Sequence, residues 1–385
     1  MNILYCSWGE NSKDDACQTL TRMGYQVDLL EYDIKDYNLD PVFSKLFLEK
    51  LDGADYDLVF SFNFVPLISK LAFARKIRYV AWIYDPMPLT VYSIMAFSPY
   101  NYIFTFDRND CEVLKKKGIS QVFHLPLAIN DRRIKQVLQE QKFDRKHEIS
   151  FIGTLYNGRT NLFDTIESLP DYIKEHVDSF IAEQLKTPGN AWIKEMVNDE
   201  LVAKLDRYVT LELSDEYTWT HKDIYLDKIL RKAAKMERYH LLKALAKKFQ
   251  VALYSDSDSS ELPEIINYGY IDYNTKAPLV MKNSKINLHI TPRGITSGMS
   301  LRVLDIMGAG GFLLADSQVE LLEYFEDGKD FVAYKNEDDL IEKAAYYLEH
   351  DDERREIAVN GRRKVLENFT YEIQFRKMFE ILERF

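Results

Sequence analysis

The residues with the clearest chemical potential lie in one segment, 286–316. A nearly continuous apolar run leads into a loop of small residues, 294–298, and a helical pattern begins near Met299 and Ser300. The first turn of a helix presents unpaired N–H groups and the positive end of the helix dipole. Because this arrangement suits a diphosphate, we expect the backbone from Gly298 onward to contact one.

Two ionisable side chains follow in the same predicted helix. Arg302 lies in its first turn, where a cation opposes the helix dipole, so the guanidinium is expected to reach an anion. Asp305 is three residues further on and shares a helical face with Arg302. Its carboxylate can accept hydrogen bonds from both hydroxyls of a ribose. The alternative is a simple ion pair between the two side chains, and the spacing fits both interpretations.

Short apolar runs recur along the chain, and the loop at 294–298 follows one of them. The runs lie at 3–7, 27–31, 58–62, 79–84, 103–106 and 122–127, and then at 149–153, 251–254, 286–290, 312–315 and 331–334. They are apolar throughout, as in parallel strands buried on both faces, and helical patterns separate them. The pattern predicts an α/β protein with two Rossmann-like domains facing a central cleft, with ligands bound at the carboxyl ends of the strands.

The domain boundaries are predicted from changes in composition. Residues 1–135 are expected to form the N-terminal domain and 145–370 the C-terminal domain, with a polar linker at 131–147. A helical insertion at about 160–249 interrupts the second domain. Residues 371–385 are expected to form a terminal helix that packs back on the N-terminal domain.

One helix of the insertion has a basic face across 228–248. A solvated helix face is the simplest interpretation, and contact with an anionic membrane surface or an acidic partner is the alternative. The N-terminus has no signal-peptide pattern, and prolines interrupt the uncharged stretch at 86–106. We therefore expect a cytoplasmic protein, with peripheral contact at the inner face of the membrane if the basic helix binds there.

Composition narrows the classes of partner and cofactor. The 385 residues include 50 lysines and arginines against 61 acidic residues, a formal net charge of −11. This balance argues against general nucleic-acid binding, which needs a basic surface. The three cysteines and seven histidines show no metal-ligand spacing. The Asp-Ser-Asp at 256–258 has the residue types of a metal motif, but loop chemistry explains these residues.

The motifs resemble a known family. Residues 300–316, together with VELLEYFEDGKDFVAY and RREIAVNGRRKVLENFTYE, resemble the C-terminal domain of the spore-maturation-protein type glycosyltransferases. These are relatives of the family 4 glycosyltransferases of GT-B fold. FIGTLYNGR at 151–159 extends the resemblance, and WIYDPMP at 82–88 is similar to the domain that often precedes it. The resemblance covers most of the chain and is weakest over the insertion.

The resemblance implies roles for individual residues. Arg302 and Arg159 would stabilise the departing diphosphate, and Asp85 would orient the acceptor hydroxyl or hold a hydroxyl of the donor sugar. The expected donor-binding residues are Gly9, Gly153, Tyr270, Arg293, Ser297, Gly298, Met299, Ser300 and Asp305. Family 4 relatives carry a Glu–seven residues–Glu motif, in which the second Glu corresponds to Asp305 and the first to Ser297, which is not acidic.

The implied activity is transfer of a sugar from a nucleotide diphosphate, expected to be UDP, to a hydroxyl of a protein, polysaccharide or lipid. Retention of configuration is expected by analogy, and no cofactor or metal is expected. Two alternatives remain open. A nucleotide-sugar epimerase has the same double-Rossmann fold and would convert the donor without an acceptor. A non-catalytic protein that binds nucleotide sugars or glycans is favoured by the missing acidic residue at Ser297.

Overall fold

The N-terminal half folds into a parallel sheet flanked by helices. The computed structural model of the protein describes residues 1–86, 88–143, 145–158, 163–185 and 191–385. The first strands are β1 (Asn2–Ser7), β2 (Gln26–Glu31), β3 (Leu58–Phe62), β4 (Arg78–Ile83), β5 (Asn101–Thr105) and β6 (Val122–His124). The helices between and after them are α1 (Lys13–Arg22), α2 (Pro41–Gly53), α3 (Pro66–Arg75), α4 (Arg108–Lys116) and α5 (Asp131–Glu140). The strand order is β2-β1-β3-β4-β5-β6, with every neighbouring pair parallel.

The C-terminal half repeats this architecture with a helical insertion. Its strands are β7 (His147–Ile152), β8 (Val251–Tyr254), β9 (Ile266–Asn267), β10 (Ser284–His289), β11 (Leu313–Asp316) and β12 (Val332–Tyr334), in the order β12-β11-β10-β7-β8-β9. The insertion between β7 and β8 contains α6 (Asp171–Gln184), α7 (Ala191–Met196), α8 (Asp199–Leu205) and α9 (His221–Ala246). The later helices are α10 (Ala277–Asn283), α11 (Leu301–Gly308), α12 (Val319–Tyr324), α13 (Glu337–Glu349), α14 (Asp351–Asn368) and α15 (Tyr371–Leu382).

The predicted α/β class with two Rossmann-like sheets is confirmed. Each predicted apolar run overlaps a strand. Strands β3 and β5, for example, are buried at every position, as expected for parallel strands covered on both faces. No apolar run predicts β9, which has two residues, Ile266–Asn267, and pairs with β8 at the sheet edge.

The polar segment at 131–147, predicted as a linker, begins with a helix. Asn130 caps α5 by accepting a hydrogen bond from the Arg133 N–H, and Ile134 and Val137 are buried on one face of that helix. A Cβ at Gly308 would lie 2.3 Å from Ile129 Cδ1 and 3.7 Å from Ile134 Cδ1. Gly308 therefore lets α11 pack closely against the chain that joins the two sheets.

Two further segments connect the halves of the molecule. The terminal helix α15 packs on the N-terminal sheet, where the Phe375 ring lies 5.9 Å from Phe60 and 5.7 Å from Trp82. The last part of the insertion crosses in the other direction. The Thr218 N–H donates to the Tyr92 carbonyl oxygen at 2.7 Å, and the Tyr217 hydroxyl donates to Asn38 at 2.8 Å.

The basic residues of α9 do not form one continuous exposed face. Lys232 and Arg238 are buried, and Lys232 forms ion pairs with Asp164 and, at 2.7 Å, with Asp178. A solvated face is therefore the wrong interpretation for these two residues, because the insertion supplies acidic partners for Lys232, and Arg238 is buried and donates to the Thr154 and Ile290 carbonyl oxygens. In the part of the chain that the structure describes, no helix is long and apolar enough to cross a membrane.

Candidate active site

Loops after strands of the two sheets contact each other directly. Asp107, just after β5, accepts hydrogen bonds from the Thr296 N–H at 2.6 Å and the Ser297 N–H at 2.9 Å. The Ser297 hydroxyl donates to the same carboxylate at 2.6 Å. Burial acts to raise the pKa of Asp107, but the hydrogen bonds from the Ser297 hydroxyl and from backbone N–H groups outweigh it and lower the pKa. The loop after β10 is therefore anchored on the N-terminal domain.

A second carboxylate meets Ser297 from the C-terminal domain. Glu320, in α12, is fully buried and lies 2.9 Å from the Ser297 hydroxyl oxygen, 2.8 Å from the Arg108 N–H nitrogen and 2.7 Å from His124 Nε2. A hydroxyl has one hydrogen, so Ser297 donates to one of the two carboxylates at a time. Ser297 thus occupies a buried junction between the domains, which we call the Asp107–Ser297–Glu320 junction.

The neighbouring glycines fit closely against the N-terminal domain. A Cβ at Gly298 would lie 2.8 Å from the Phe106 carbonyl oxygen and 2.9 Å from Asp107 Cα, and a Cβ at Gly294 would lie 3.1 Å from Pro86 Cβ. The small residues of this loop are thus explained by close approach of the two domains. Met299, also predicted to bind the donor, is buried.

The predicted pair on α11 is held together in the structure. Arg302 Nη1 lies 3.3 Å from one oxygen of Asp305, and the Tyr273 hydroxyl donates to the other at 2.8 Å. The Arg302 guanidinium lies over the Tyr273 ring, 5.7 Å from its centroid. Burial raises the pKa of Asp305, against the attraction of Arg302. The ion pair given above as the alternative interpretation is therefore present, with Tyr273 as a third member.

A neutral histidine lies beside the start of α11. His289 Nε2 is 2.9 Å from the Ser300 hydroxyl oxygen, and the Tyr334 hydroxyl donates to the His289 carbonyl oxygen at 3.3 Å. Burial lowers the pKa of His289 to about 4, and the positive charges of Arg238 and Arg302 contribute in the same direction. The imidazole is therefore uncharged at neutral pH.

Arg238 is a candidate site residue that the sequence analysis did not select. It is buried on α9, and its Nη2 donates to the Ile290 carbonyl oxygen at 3.0 Å. Its guanidinium lies over the Tyr156 ring, 4.7 Å from the centroid, and close to Gly153. Its Nε has no hydrogen-bond partner among the described residues. Arg238 is one of the basic residues of the predicted helix face, and nothing in the sequence indicates that it is buried while its neighbours are solvated.

Arg293 is bound to Glu237, a buried acid of α9. Its Nε donates to Glu237 at 2.8 Å, and its Nη2 also contacts that carboxylate. Burial raises the pKa of Glu237, against the attraction of Arg293. Since Glu237 immediately precedes Arg238 in the chain, this ion pair holds the loop after β10 against the part of α9 that carries Arg238.

The other predicted residues lie at more open positions. Asp85, exposed after β4, accepts a hydrogen bond from Asn63 Nδ2 at 2.7 Å and attracts Arg231 across the domains. Gly9 has a φ of +91° and open space around its Cβ position, so a ligand can approach its backbone. Tyr270 is 70% exposed. Arg159 lies outside the described residues.

The architecture and these loops define a two-domain GT-B fold. Residues 231–380 match the family model described as glycosyl transferase-like, so this part of the C-terminal domain is glycosyltransferase-like in sequence as well as in fold. That segment is less than half of the chain. Comparison with curated protein sequences finds no match.

Solved structures with the same fold extend over the whole chain. HepE from Anabaena, in a complex with UDP and glucose, has a TM-score of 0.57 and 10% identity, with 100% of each chain covered. Sucrose-phosphate synthase from Thermosynechococcus elongatus has a TM-score of 0.56 and 11% identity, covering 100% of this chain and 98% of the other. A glycosyltransferase from Rickettsia africae has a TM-score of 0.54 and 12% identity, with the same coverage. These likenesses establish the GT-B fold.

Proposed function

We propose that the protein is a glycosyltransferase that moves a sugar from UDP to a hydroxyl group of an acceptor. One observation carries the proposal: in a GT-B fold, Arg238 donates to the Ile290 carbonyl oxygen at the end of β10, and Arg302 lies in the first turn of α11, which the same loop leads into. The helix start and the two cations provide positive potential where a diphosphate would bind. The match of residues 231–380 to the glycosyl transferase-like model and the UDP complex of HepE support this choice of ligand.

The proposed mechanism is mainly electrostatic. Arg302, Arg238 and the N–H groups at the start of α11 stabilise the negative charge that develops on the departing diphosphate. Arg159 is proposed as a further cation from the loop after β7. With this positive charge in place we propose that transfer needs no metal. His289 stays neutral and holds the Ser300 hydroxyl, so it fixes the loop without adding charge.

Asp305 is proposed to bind the ribose of the donor. In the structure its two oxygens are occupied by Arg302 and by the Tyr273 hydroxyl. Ribose hydroxyls would take over the contact with Asp305 while Arg302 turns to the diphosphate. The backbone around Gly9, Gly153 and Tyr270 is proposed to complete the donor site.

On the acceptor side we propose Asp85. Its carboxylate is exposed after β4, and the next residue, Pro86, lies against Gly294 of the opposite domain, which supports a position at the cleft. We propose residues 1–135 as the acceptor-side domain and 145–370 as the donor domain. Transfer with retention, and a relationship to the spore-maturation-protein type, are proposed from the motifs at 151–159 and 300–316.

The test is a thermal-shift screen of the protein with UDP, GDP and their sugars, followed by transfer assays. A ligand that binds the native state raises the melting temperature by mass action. Arg302→Ala should abolish the UDP shift and reduce transfer at least about 10- to 100-fold, as expected when a charge-stabilising donor is lost. Arg238→Lys keeps the charge but loses the planar fork that donates to the Thr154 and Ile290 carbonyl oxygens, so it should weaken UDP binding. The melting temperature of the ligand-free variant shows whether the fold is kept.

The matched control is Arg363→Ala, which removes an exposed arginine from α14. Equal UDP binding by Arg302→Ala and Arg363→Ala would contradict the proposal. Incubation with donor alone separates the alternatives: an epimerase converts the sugar without an acceptor. A protein that binds the donor tightly without hydrolysis or transfer would be a non-catalytic binding protein.

A further inference from the structure

A large cavity on the C-terminal domain is not used by the mechanism above. Its volume is about 1210 Å³, and its walls come from α6 and α9 and from the loops after β10, β11 and β12. Small-molecule sites have volumes of roughly 300–1,000 Å³, so this cavity has room for an extended ligand. It lies at the carboxyl edge of the sheet, where open α/β sheets bind ligands.

The cavity continues from the loop that carries the proposed donor site. Arg293 and Thr296 belong to its lining, and both precede Ser300 in the loop after β10. Asp316, at the end of β11, also lines it and accepts a hydrogen bond from the Thr291 N–H at 2.7 Å. A ligand in the cavity would therefore extend away from the loop at which the sugar is transferred.

The buried charges of the cavity wall neutralise each other. Lys232 is paired with Asp164 and Asp178, and Arg293 is paired with Glu237. A polyanion needs cations that are available for charge-assisted hydrogen bonds. A neutral ligand with many hydroxyl groups needs donors and acceptors side by side, because each hydroxyl both donates and accepts. The whole lining has seven acidic residues and six lysines or arginines, so donors and acceptors are mixed across it. A wall of this kind fits the second kind of ligand.

We propose that this cavity binds a neutral saccharide, as the acceptor chain or its extended product. The proposal rests on the proposed glycosyltransferase function. It assigns the acceptor class to uncharged glycans, with part of the chain held on the donor domain.

The experiment fills the cavity with large side chains at exposed positions of its rim. Ala182 in α6 is exposed, and Val319 at the start of α12 is 58% exposed. Ala182→Trp and Val319→Trp therefore each obstruct part of the cavity without disturbing a core. Ser179→Trp on α6 and Leu322→Trp on α12 are the matched controls, because both positions are exposed but do not line the cavity.

Binding is measured by saturation-transfer NMR with cellotetraose, maltotetraose and chitotetraose, and with a heparin tetrasaccharide as the anionic comparison. At least one neutral tetrasaccharide should bind the wild-type protein, and Ala182→Trp and Val319→Trp should weaken it at least tenfold. The control variants should bind as the wild type does. All four variants should keep the UDP thermal shift.

Three outcomes would overturn the saccharide site: no binding of any neutral tetrasaccharide, preference for the heparin tetrasaccharide, or equal binding by the filled and control variants. The rise in melting temperature of the wild-type protein with UDP tests the proposed function separately. A protein that binds UDP but no saccharide in the cavity would retain the glycosyltransferase assignment and lose this acceptor site.

Discussion

Gly298→Ala tests whether close approach of the domains explains the glycine loop. The new Cβ would lie 2.8 Å from the Phe106 carbonyl oxygen and 2.9 Å from Asp107 Cα, both backbone atoms. To reach an ordinary contact of 3.4 Å, the loop and β5 must separate by about 0.6 Å. That movement would lengthen the hydrogen bonds from Thr296 and Ser297 to Asp107, which are 2.6 and 2.9 Å long.

The expected cost follows from these contacts. Overpacking of a rigid site costs about 1–3 kcal/mol. A weakened hydrogen bond to the buried carboxylate adds to that, since hydrogen bonds to charged groups contribute about 1.5–3 kcal/mol each. We therefore expect Gly298→Ala to lower the free energy of unfolding of the ligand-free protein by at least about 1 kcal/mol.

Urea denaturation followed by circular dichroism measures this difference, with Gly53→Ala as the matched control. Gly53 ends α2 and has no heavy atom within 4 Å of its Cβ position, so alanine there should be neutral or stabilise by about 0.4–1 kcal/mol. The reasoning is refuted if the two variants are equally stable. In that case, a loss of UDP affinity in Gly298→Ala alone would show that the glycine is needed for ligand contact instead.

Two other properties follow from polar groups at defined contacts. The pKa of His289 is lowered to about 4, whereas an unfolded histidine has a pKa of roughly 6.5. Between these two pH values the unfolded state binds more protons than the folded state. The free energy of unfolding therefore falls as the pH drops from about 6.5 to about 4. His289→Gln should flatten that part of the pH profile in urea denaturation, and an unchanged slope would contradict a buried neutral imidazole. Tyr217→Phe removes the hydrogen bond to Asn38 between the insertion and the N-terminal domain, and should cost about 0.5–1.5 kcal/mol. Tyr208→Phe, at an exposed tyrosine pair, is its control and should have almost no effect on the same denaturation midpoint.

Local patterns predicted the fold and part of the site. The strands are short apolar runs, and α11 follows a small-residue loop, so neighbouring residues alone identify them. Arg302 and Asp305 are three residues apart on one helix, which is why their contact was among the expected interpretations.

Long-range contacts could not be predicted in this way. Asp107 and Ser297 are 190 positions apart, and Arg108 and Glu320 are 212 apart. No periodicity links such residues, so the junction between the domains was not expected, and Ser297 was placed in the donor site alone. Arg238 was missed for a similar reason: whether a basic residue of α9 faces solvent or the interior depends on how the insertion covers the helix.

In the proposed donor site, the Arg302–Asp305 pair would make binding of the two parts of UDP interdependent. Asp305 is buried, and its pKa is raised by that burial, so removing Arg302 from it leaves a carboxylate with fewer favourable contacts. A buried charge that loses its partner is costly unless other donors replace that partner. Ribose hydroxyls can supply those donors, whereas inorganic diphosphate cannot. The nucleotide would therefore have to occupy Asp305 for Arg302 to turn to the phosphates, and UDP is the informative ligand for the Arg302→Ala experiment.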